Sequence, residues 1–198
     1  MGDYFPATAM PDRDWWSALW PEPEGVLSKL EVPRDQPAVD LCCGDDHFTA
    51  SLSKLACTVY ALDLDAELLR QAREYVAERG EVGRVVFIED DARNLAQHIS
   101  NPISCVLLAN TFHGVPDKAK LAIEVRKVLA PHGRFAIVNW SRRPREQTTV
   151  LDKPRGPATE MRMSPEQTAT IVEPAGFELE RVVELTPFHY GALFARVG

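Results

Sequence analysis

Cysteine is scarce in this chain and long apolar runs are missing. The four cysteines, Cys42, Cys43, Cys57 and Cys105, fall in or beside stretches that read as buried strands. That suits small apolar side chains in a reducing compartment rather than a disulfide framework. Cys42, Cys43 and His47 have no second ligand pair at zinc spacing, so no metal site is expected. No stretch approaches the roughly 20 apolar residues that span a bilayer, and none suggests a membrane partner. The first residues, MGDYFPATAMPDRDWW, lack the basic and apolar regions of a secretory signal, and a cytoplasmic protein is expected. An excess of basic residues is lacking too: 22 Lys and Arg against 29 Asp and Glu leave a net charge of −7. A nucleic-acid partner normally needs a Lys/Arg footprint to displace counterions, and none is expected here. Internal repeats and low-complexity segments are absent, and no pattern specifies an oligomeric state.

What is there is alternation. PAVDLC (37–42), TVYALD (58–63), VVFIED (85–90), SCVLLAN (104–110) and RFAIVNW (134–140) are compact, largely apolar and without polar alternation. Strands buried on both faces of a parallel sheet read this way. Helix-period segments separate them: 47–55 groups Phe48, Leu52 and Leu55, 65–79 groups Leu68, Leu69, Ala72, Tyr75 and Val76, and 117–130 groups Leu121, Val125 and Val128. Ser164-Pro165-Glu166-Gln167 is a capping box that opens a further helix. After Gly176, two strands meet near Pro187 with no room for a helix, and so pair antiparallel. The expectation is an open α/β sheet with right-handed crossovers.

The stretch VDLCCGDDHF (39–48) carries the chemistry. It reads as a strand, a tight turn and a helix N-terminus. A dinucleotide fingerprint would place glycines at 42, 44 and 47, and only Gly44 complies. A pyrophosphate would also meet Asp45 and Asp46 where it needs positive potential. A nicotinamide-dependent oxidoreductase is therefore disfavoured, and a cofactor carrying positive charge fits better. Asp40-Leu41-Cys42-Cys43-Gly44-Asp45-Asp46 resembles the acid-apolar-Gly-x-Gly-x-Gly motif of the class I S-adenosylmethionine-dependent methyltransferases. Asp63 in VYALDLD stands 23 residues beyond Asp40, about one strand–helix–strand unit. FIEDDARNL, LLANTFHGVPD and VLAPHGRFAIVNW line up in order with later motifs, some of them of ubiquinone-methyltransferase type. Cys42, Asp46 and His132 depart from the family's glycines.

The resemblance implies a single domain over 1–198 with a Rossmann-like class I methyltransferase fold. That fold is a mostly parallel seven-stranded sheet with a C-terminal antiparallel hairpin and helices on both faces. It divides into a helical cap (1–35), a cofactor-binding half (36–140), an insertion (141–163) and a C-terminal helix and hairpin (164–198). It implies S-adenosylmethionine as cofactor, held by Asp40, Cys42 and Gly44 of the turn, Asp63 and Leu64, Asp91 and Ala92, and Asn110. A carboxylate at Asp63 suits two ribose hydroxyls, because one group accepts both protons. The implied activity is methyl transfer to a small-molecule acceptor, with His113 as candidate general base; the alternative is a non-catalytic binding protein on the same fold. His113 stands just past the fourth strand, where open α/β sheets place their ligands. His189 and Tyr190 read as structural. Trp15, Trp16 and Trp20 read as a seal on the sheet edge, and Arg142, Arg143, Arg145, Lys153 and Arg155 as a solvated basic loop.

Overall fold

The computed structural model describes residues 13–45 and 47–198, the side chain of Arg13 excepted. Asp46, the third glycine position of the turn, lies outside the described residues, as does the start of the cap. Two short helices open the described chain, α1 (Arg13–Leu19) and α2 (Pro23–Lys29). The alternating body follows: β1 (Pro37–Leu41), α3 (Thr49–Leu55), β2 (Thr58–Asp63), α4 (Ala66–Arg79), β3 (Val85–Glu89), β4 (Ile103–Ala109), α5 (Lys118–Val128) and β5 (Leu129–Trp140). A small ribbon, β6 (Thr149–Val150) with β7 (Lys153–Pro154), lies in the expected insertion. Then come α6 (Pro165–Val172), β8 (Phe177–Thr186) and β9 (His189–Arg196).

Seven strands form one sheet in the order β3-β2-β1-β4-β5-β9-β8. The first five run parallel, β9 is antiparallel to β5, and β8 is antiparallel to β9. The fold is thus the mixed α/β sheet expected from the alternation. Local chemistry sets the helix ends. The Asp65 carboxylate caps α4 by accepting from the N–H groups of Glu67 and Leu68. The Ser164–Gln167 capping box is fully formed, and Pro165 stands at the first turn of α6.

Alternation along the strands sends side chains to two apolar layers. Val39, Leu41, Val106, Leu108, Phe135 and Ile137 face the layer closed by α5 and α6. Ala38, Leu107, Ala136 and Val138 face the layer that holds Trp15, Trp20 and Leu52. Two local features differ from the sequence pattern. β5 begins at Leu129, five residues early, because it carries three extra residues where Ile103–Cys105 of β4 faces Leu129–Arg134. Between β3 and β4 a 3₁₀ turn, Ala92–Gln97, replaces a crossover helix. Among the described residues, no helix is long and apolar enough to cross a membrane.

Candidate functional site

In the strand order the sequence direction reverses between β1 and β4, and open α/β sheets bind ligands at the carboxyl ends of the strands beside such a switch. A cavity of about 1190 Å³ lies there. It exceeds the roughly 300–1,000 Å³ usual for one drug-sized ligand, so two molecules can sit side by side.

The nine residues singled out in the sequence, Asp40, Cys42, Gly44, Asp63, Leu64, Asp91, Ala92, Asn110 and His113, all line this cavity. The sheet explains the convergence. Asp40 and Cys42 end β1, Asp63 ends β2, Asp91 and Ala92 follow β3, and Asn110 and His113 follow β4. Parallel strands deliver all four ends to one edge.

The turn after β1 is tied to the end of β2. The Gly44 N–H donates to Asp63 Oδ2 at 2.8 Å, the Asp65 N–H donates to Oδ1 at 3.0 Å, and the Cys43 N–H donates to the Leu62 carbonyl at 3.1 Å. An ionised carboxylate has about four acceptor sites, and with the N–H groups of Gly44, Leu64 and Asp65 on it Asp63 retains capacity for a further donor. Gly44 has φ +62° and Cys42 φ +59°. Only the first is comfortable for its residue type, because a Cβ crowds the left-handed region. Burial pushes the Asp40 carboxyl up to about 7, and the charge of Asp63 adds to this; the hydroxyl of Thr49, donating at 2.7 Å, opposes it. Asp63 is raised by burial too, against the N–H bonds it accepts. Asp91 differs: its bonds from Arg93 hold it below the usual carboxylate range. The guanidinium forks onto it with Nη2 at 2.6 Å from Oδ2 and Nε at 2.9 Å from Oδ1.

Asn110 stands at φ +59°, and both polar atoms of its side chain are buried without a hydrogen-bond partner. A buried primary amide left unsatisfied costs roughly 1–3 kcal/mol, and a ligand in the cavity relieves it. His113 sits in the 3₁₀ turn Phe112–Gly114, and its imidazole is pushed down to about 4. Burial is the main cause, with the charges of Lys118 and Arg162 adding; a hydrogen bond with Asn139 opposes them. Asn139 is itself anchored, 3.4 Å from the Tyr190 hydroxyl, which meets Thr168 Oγ1 at 2.8 Å. His189 and Tyr190 are buried and do not line the cavity. His189 packs between Trp20 and Trp140, with ring centroids 4.6 and 4.1 Å away.

Two expectations change. Trp20 is buried against Phe48 as a seal, but Trp15 and Trp16 line the cavity, because α1 lies across its mouth rather than along the sheet edge. The basic segment is not uniformly solvated. Arg142, Arg143, Arg145 and Lys153 are exposed and Arg155 is half-buried; of these, Arg145 and Arg155 also line the cavity, and Arg162 is buried behind them. Asn139, Trp140, Met161 and Arg162 went unnoticed in the sequence. Trp140 was recoverable in principle, since it ends a strand at the same edge; Arg162 carried no local signal.

Comparison with known proteins adds an independent line. A family model described as "Methyltransferase domain" matches residues 39–137. The ubiquinone/menaquinone biosynthesis C-methyltransferase UbiE of Escherichia coli O1:K1 is 27% identical over 180 residues, covering 78% of this chain and 71% of that protein. The same enzyme from Proteus mirabilis is 29% identical over 114 residues, covering 56% of this chain and 45% of that protein, so this match spans less than half of it. Among solved structures, a SAM-dependent methyltransferase from Aquifex aeolicus has a TM-score of 0.79 at 25% identity and covers 94% of both chains. The [4+2]-cyclase SpnF shares the fold at 16% identity, with a TM-score of 0.69 and 89% and 81% coverage of this chain and that one. The fold alone therefore does not dictate methyl transfer.

Proposed function

Since the chain belongs to the methyltransferase-domain family, we propose that it is an enzyme of the cytoplasm that transfers a methyl group from S-adenosylmethionine to a small-molecule acceptor, without nucleic acid or membrane partners. The observation that carries this reading is the convergence of the β1 turn, Asp63, Asp91 and Asn110 on one cavity large enough for cofactor and acceptor. The residues fit the cofactor. Asp63 has spare acceptor capacity, Asn110 offers an unsatisfied buried amide, and Gly44 exposes backbone at a conformation open to glycine. Asp40, Asp45 and Asp63 give that end of the cavity the negative sign that a sulfonium and an ammonium need.

When bound, S-adenosylmethionine supplies a methyl group already activated by its sulfonium. The chain supplies alignment, exclusion of water and a proton acceptor. Asp63 takes the ribose hydroxyls, Asp91 the adenine amino group with Ala92 and Leu64 beside the ring, and Asp40, Cys42, Gly44 and Asn110 surround the methionine end. α1 and the segment 145–161 cover the acceptor end; Arg155 lies over the Trp15 ring at 5.0 Å. His113 is neutral at physiological pH and accepts the proton the acceptor sheds. Its low basicity is sufficient because an acceptor heteroatom becomes strongly acidic once it has bonded to the methyl carbon.

Calorimetric titration with S-adenosylhomocysteine tests the cofactor site; absence of heat and of any thermal shift at millimolar ligand overturns it. Label transfer from S-adenosylmethionine into a metabolite extract tests catalysis. Binding without transfer under any condition would identify a non-catalytic binding protein instead.

A further inference from the structure

The two ends of the cavity carry opposite charge. The end formed by β1 and β2 presents Asp40, Asp45, Asp63 and Asp65. Among the described residues, the end beyond His113 has no carboxylate in its wall and presents Arg145 and Arg155 beside Trp15, Trp16 and Met161. Arg162 is buried just behind, donating to the carbonyls of Pro157 and Arg155 and to Thr148 Oγ1. Elsewhere in the fold arginines meet carboxylates: Arg70, Arg93, Arg134 and Arg181 each form ion pairs. Among the described residues, none of Arg145, Arg155 and Arg162 does so. Glu146 and Glu160, the acids of this segment, are exposed and do not line the cavity.

The charges of Arg145 and Arg162 repel, only the exposed Glu146 opposes this, and the fold holds the guanidiniums there by backbone contacts. The Arg145 Nε donates to the Gly156 carbonyl at 3.0 Å, which fixes the head while leaving its other N–H groups uncommitted. Arg155 rests on the Trp15 face, and its Nε is buried without a hydrogen-bond partner. A guanidinium is a planar fork matched to carboxylate and phosphate oxygens, and low-dielectric walls strengthen that match.

We propose that the acceptor is an organic oxyanion, a carboxylate or a phosphate ester on an apolar body. Arg145 and Arg155 bind the oxyanion, and Trp15, Trp16 and Met161 contact the body. This rests on reading the cavity as a methyl-transfer site. The oxyanion anchors the acceptor, and the atom that is methylated lies nearer His113. A neutral, wholly apolar acceptor would leave the arginines uncompensated and is disfavoured.

The test uses the whole chain saturated with S-adenosylhomocysteine and three probes: benzoate, phenyl phosphate and neutral benzamide. Tryptophan fluorescence and calorimetry both report binding, because Trp15 and Trp16 line the pocket. At least one anion should bind about tenfold or more tightly than benzamide, and the preferred anion tells carboxylate from phosphate. The double variant Arg145→Gln, Arg155→Gln should abolish that preference while S-adenosylhomocysteine affinity and thermal stability stay close to the parent's. Arg155→Lys should retain part of it. Equal binding of anions and amide, binding of none of the three, or a preference that survives the double variant overturns the inference. If S-adenosylhomocysteine itself does not bind, the methyl-transfer reading falls and this one with it.

Discussion

Of the seven described residues with side chains in the left-handed conformation, three stand in the motif segments: Cys42, Asn110 and His132, at φ +59°, +59° and +62°. Asparagine tolerates that region, whereas cysteine and histidine pay a steric cost of roughly 1–2 kcal/mol. The departures from the family's glycines at 42 and 132 thus changed the residue but not the backbone. Cys42→Gly relieves the Cβ strain, while the added freedom of the unfolded chain offsets about 0.5–1 kcal/mol of that gain. We expect stability within about 1 kcal/mol of the parent and S-adenosylhomocysteine binding roughly fivefold tighter by calorimetry, as the backbone is uncovered. Weaker binding would show that the side chain at 42 contributes contact rather than crowding. His113→Ala should lower kcat about 100-fold or more while leaving S-adenosylhomocysteine affinity unchanged. Because burial holds His113 at about 4, kcat at saturating cofactor should not fall near 6.5, where a free histidine titrates. A rate step near 6.5 that vanishes in the alanine variant would contradict this environment.

At the scale of elements, the ends of the parallel strands line the cavity with Asp40, Asp63 and Asp91, and α1 with the segment 141–163 lines it with Trp15, Arg145 and Arg155. That segment has little regular structure beyond the ribbon of β6 and β7, so its shape depends on side-chain bonds. Arg162 supplies three of them. It is 3% exposed, reaches two carbonyls and a hydroxyl of the loop, and lies over the Trp140 ring at 5.1 Å. Arg162→Ala removes the donor to the Pro157 carbonyl and one of the two donors to the Arg155 carbonyl, which Thr148 Oγ1 still reaches, and we expect a loss of about 1–3 kcal/mol in urea denaturation. Cleavage within 141–163 under limited proteolysis should quicken, while S-adenosylhomocysteine binding persists, because the parallel strands do not depend on this residue. Simultaneous loss of cofactor binding would mean that the two ends are not independent.

Across the whole molecule, buried ionisable groups set the response to pH. Burial lowers His47 and His113 to about 4 and takes His189 well below 6.5. Unfolding exposes three imidazoles that take up protons below about 6.5, so the unfolded chain binds more protons than the folded one between about 4 and 6.5. Stability from these groups is complete above that window and is lost as pH falls through it. Asp40, raised to about 7, works the other way, since the folded chain keeps a proton that the unfolded chain gives up above the ordinary aspartate value of 3.8. Asp63, also raised by burial, acts in the same sense as Asp40; three histidines outweigh two aspartates, and the urea midpoint should rise between about pH 5 and 6.5. Asp40→Asn should steepen that rise. In the same range a bound ammonium favours ionised Asp40, so S-adenosylhomocysteine affinity should increase as pH approaches about 7, and this dependence should be lost in Asp40→Asn. A midpoint independent of pH in the parent would show that the histidines are solvated.

The apolar runs and helix periods of the chain by themselves determined the α/β sheet, the antiparallel ending and the order of the cofactor-side motifs. These are local: a strand buried on both faces is written in consecutive residues, and a turn residue at its end is placed by the strand. The sequence also marked Asp63, Asp91, Asn110 and His113, because parallel strands send their ends to one edge. Whether Trp15, Arg145, Arg155 and Arg162 meet solvent or cavity was decided only by the tertiary structure. α1 and the 141–163 segment have no periodic pattern that fixes their direction, and long-range contacts set their burial: α1 lies over β6, and Arg155 lies over Trp15. A run of arginines is written the same way whether water surrounds it or a fold gathers it. Here the fold brings Arg145 and Arg155 to the cavity and leaves Arg142 and Arg143 outside it.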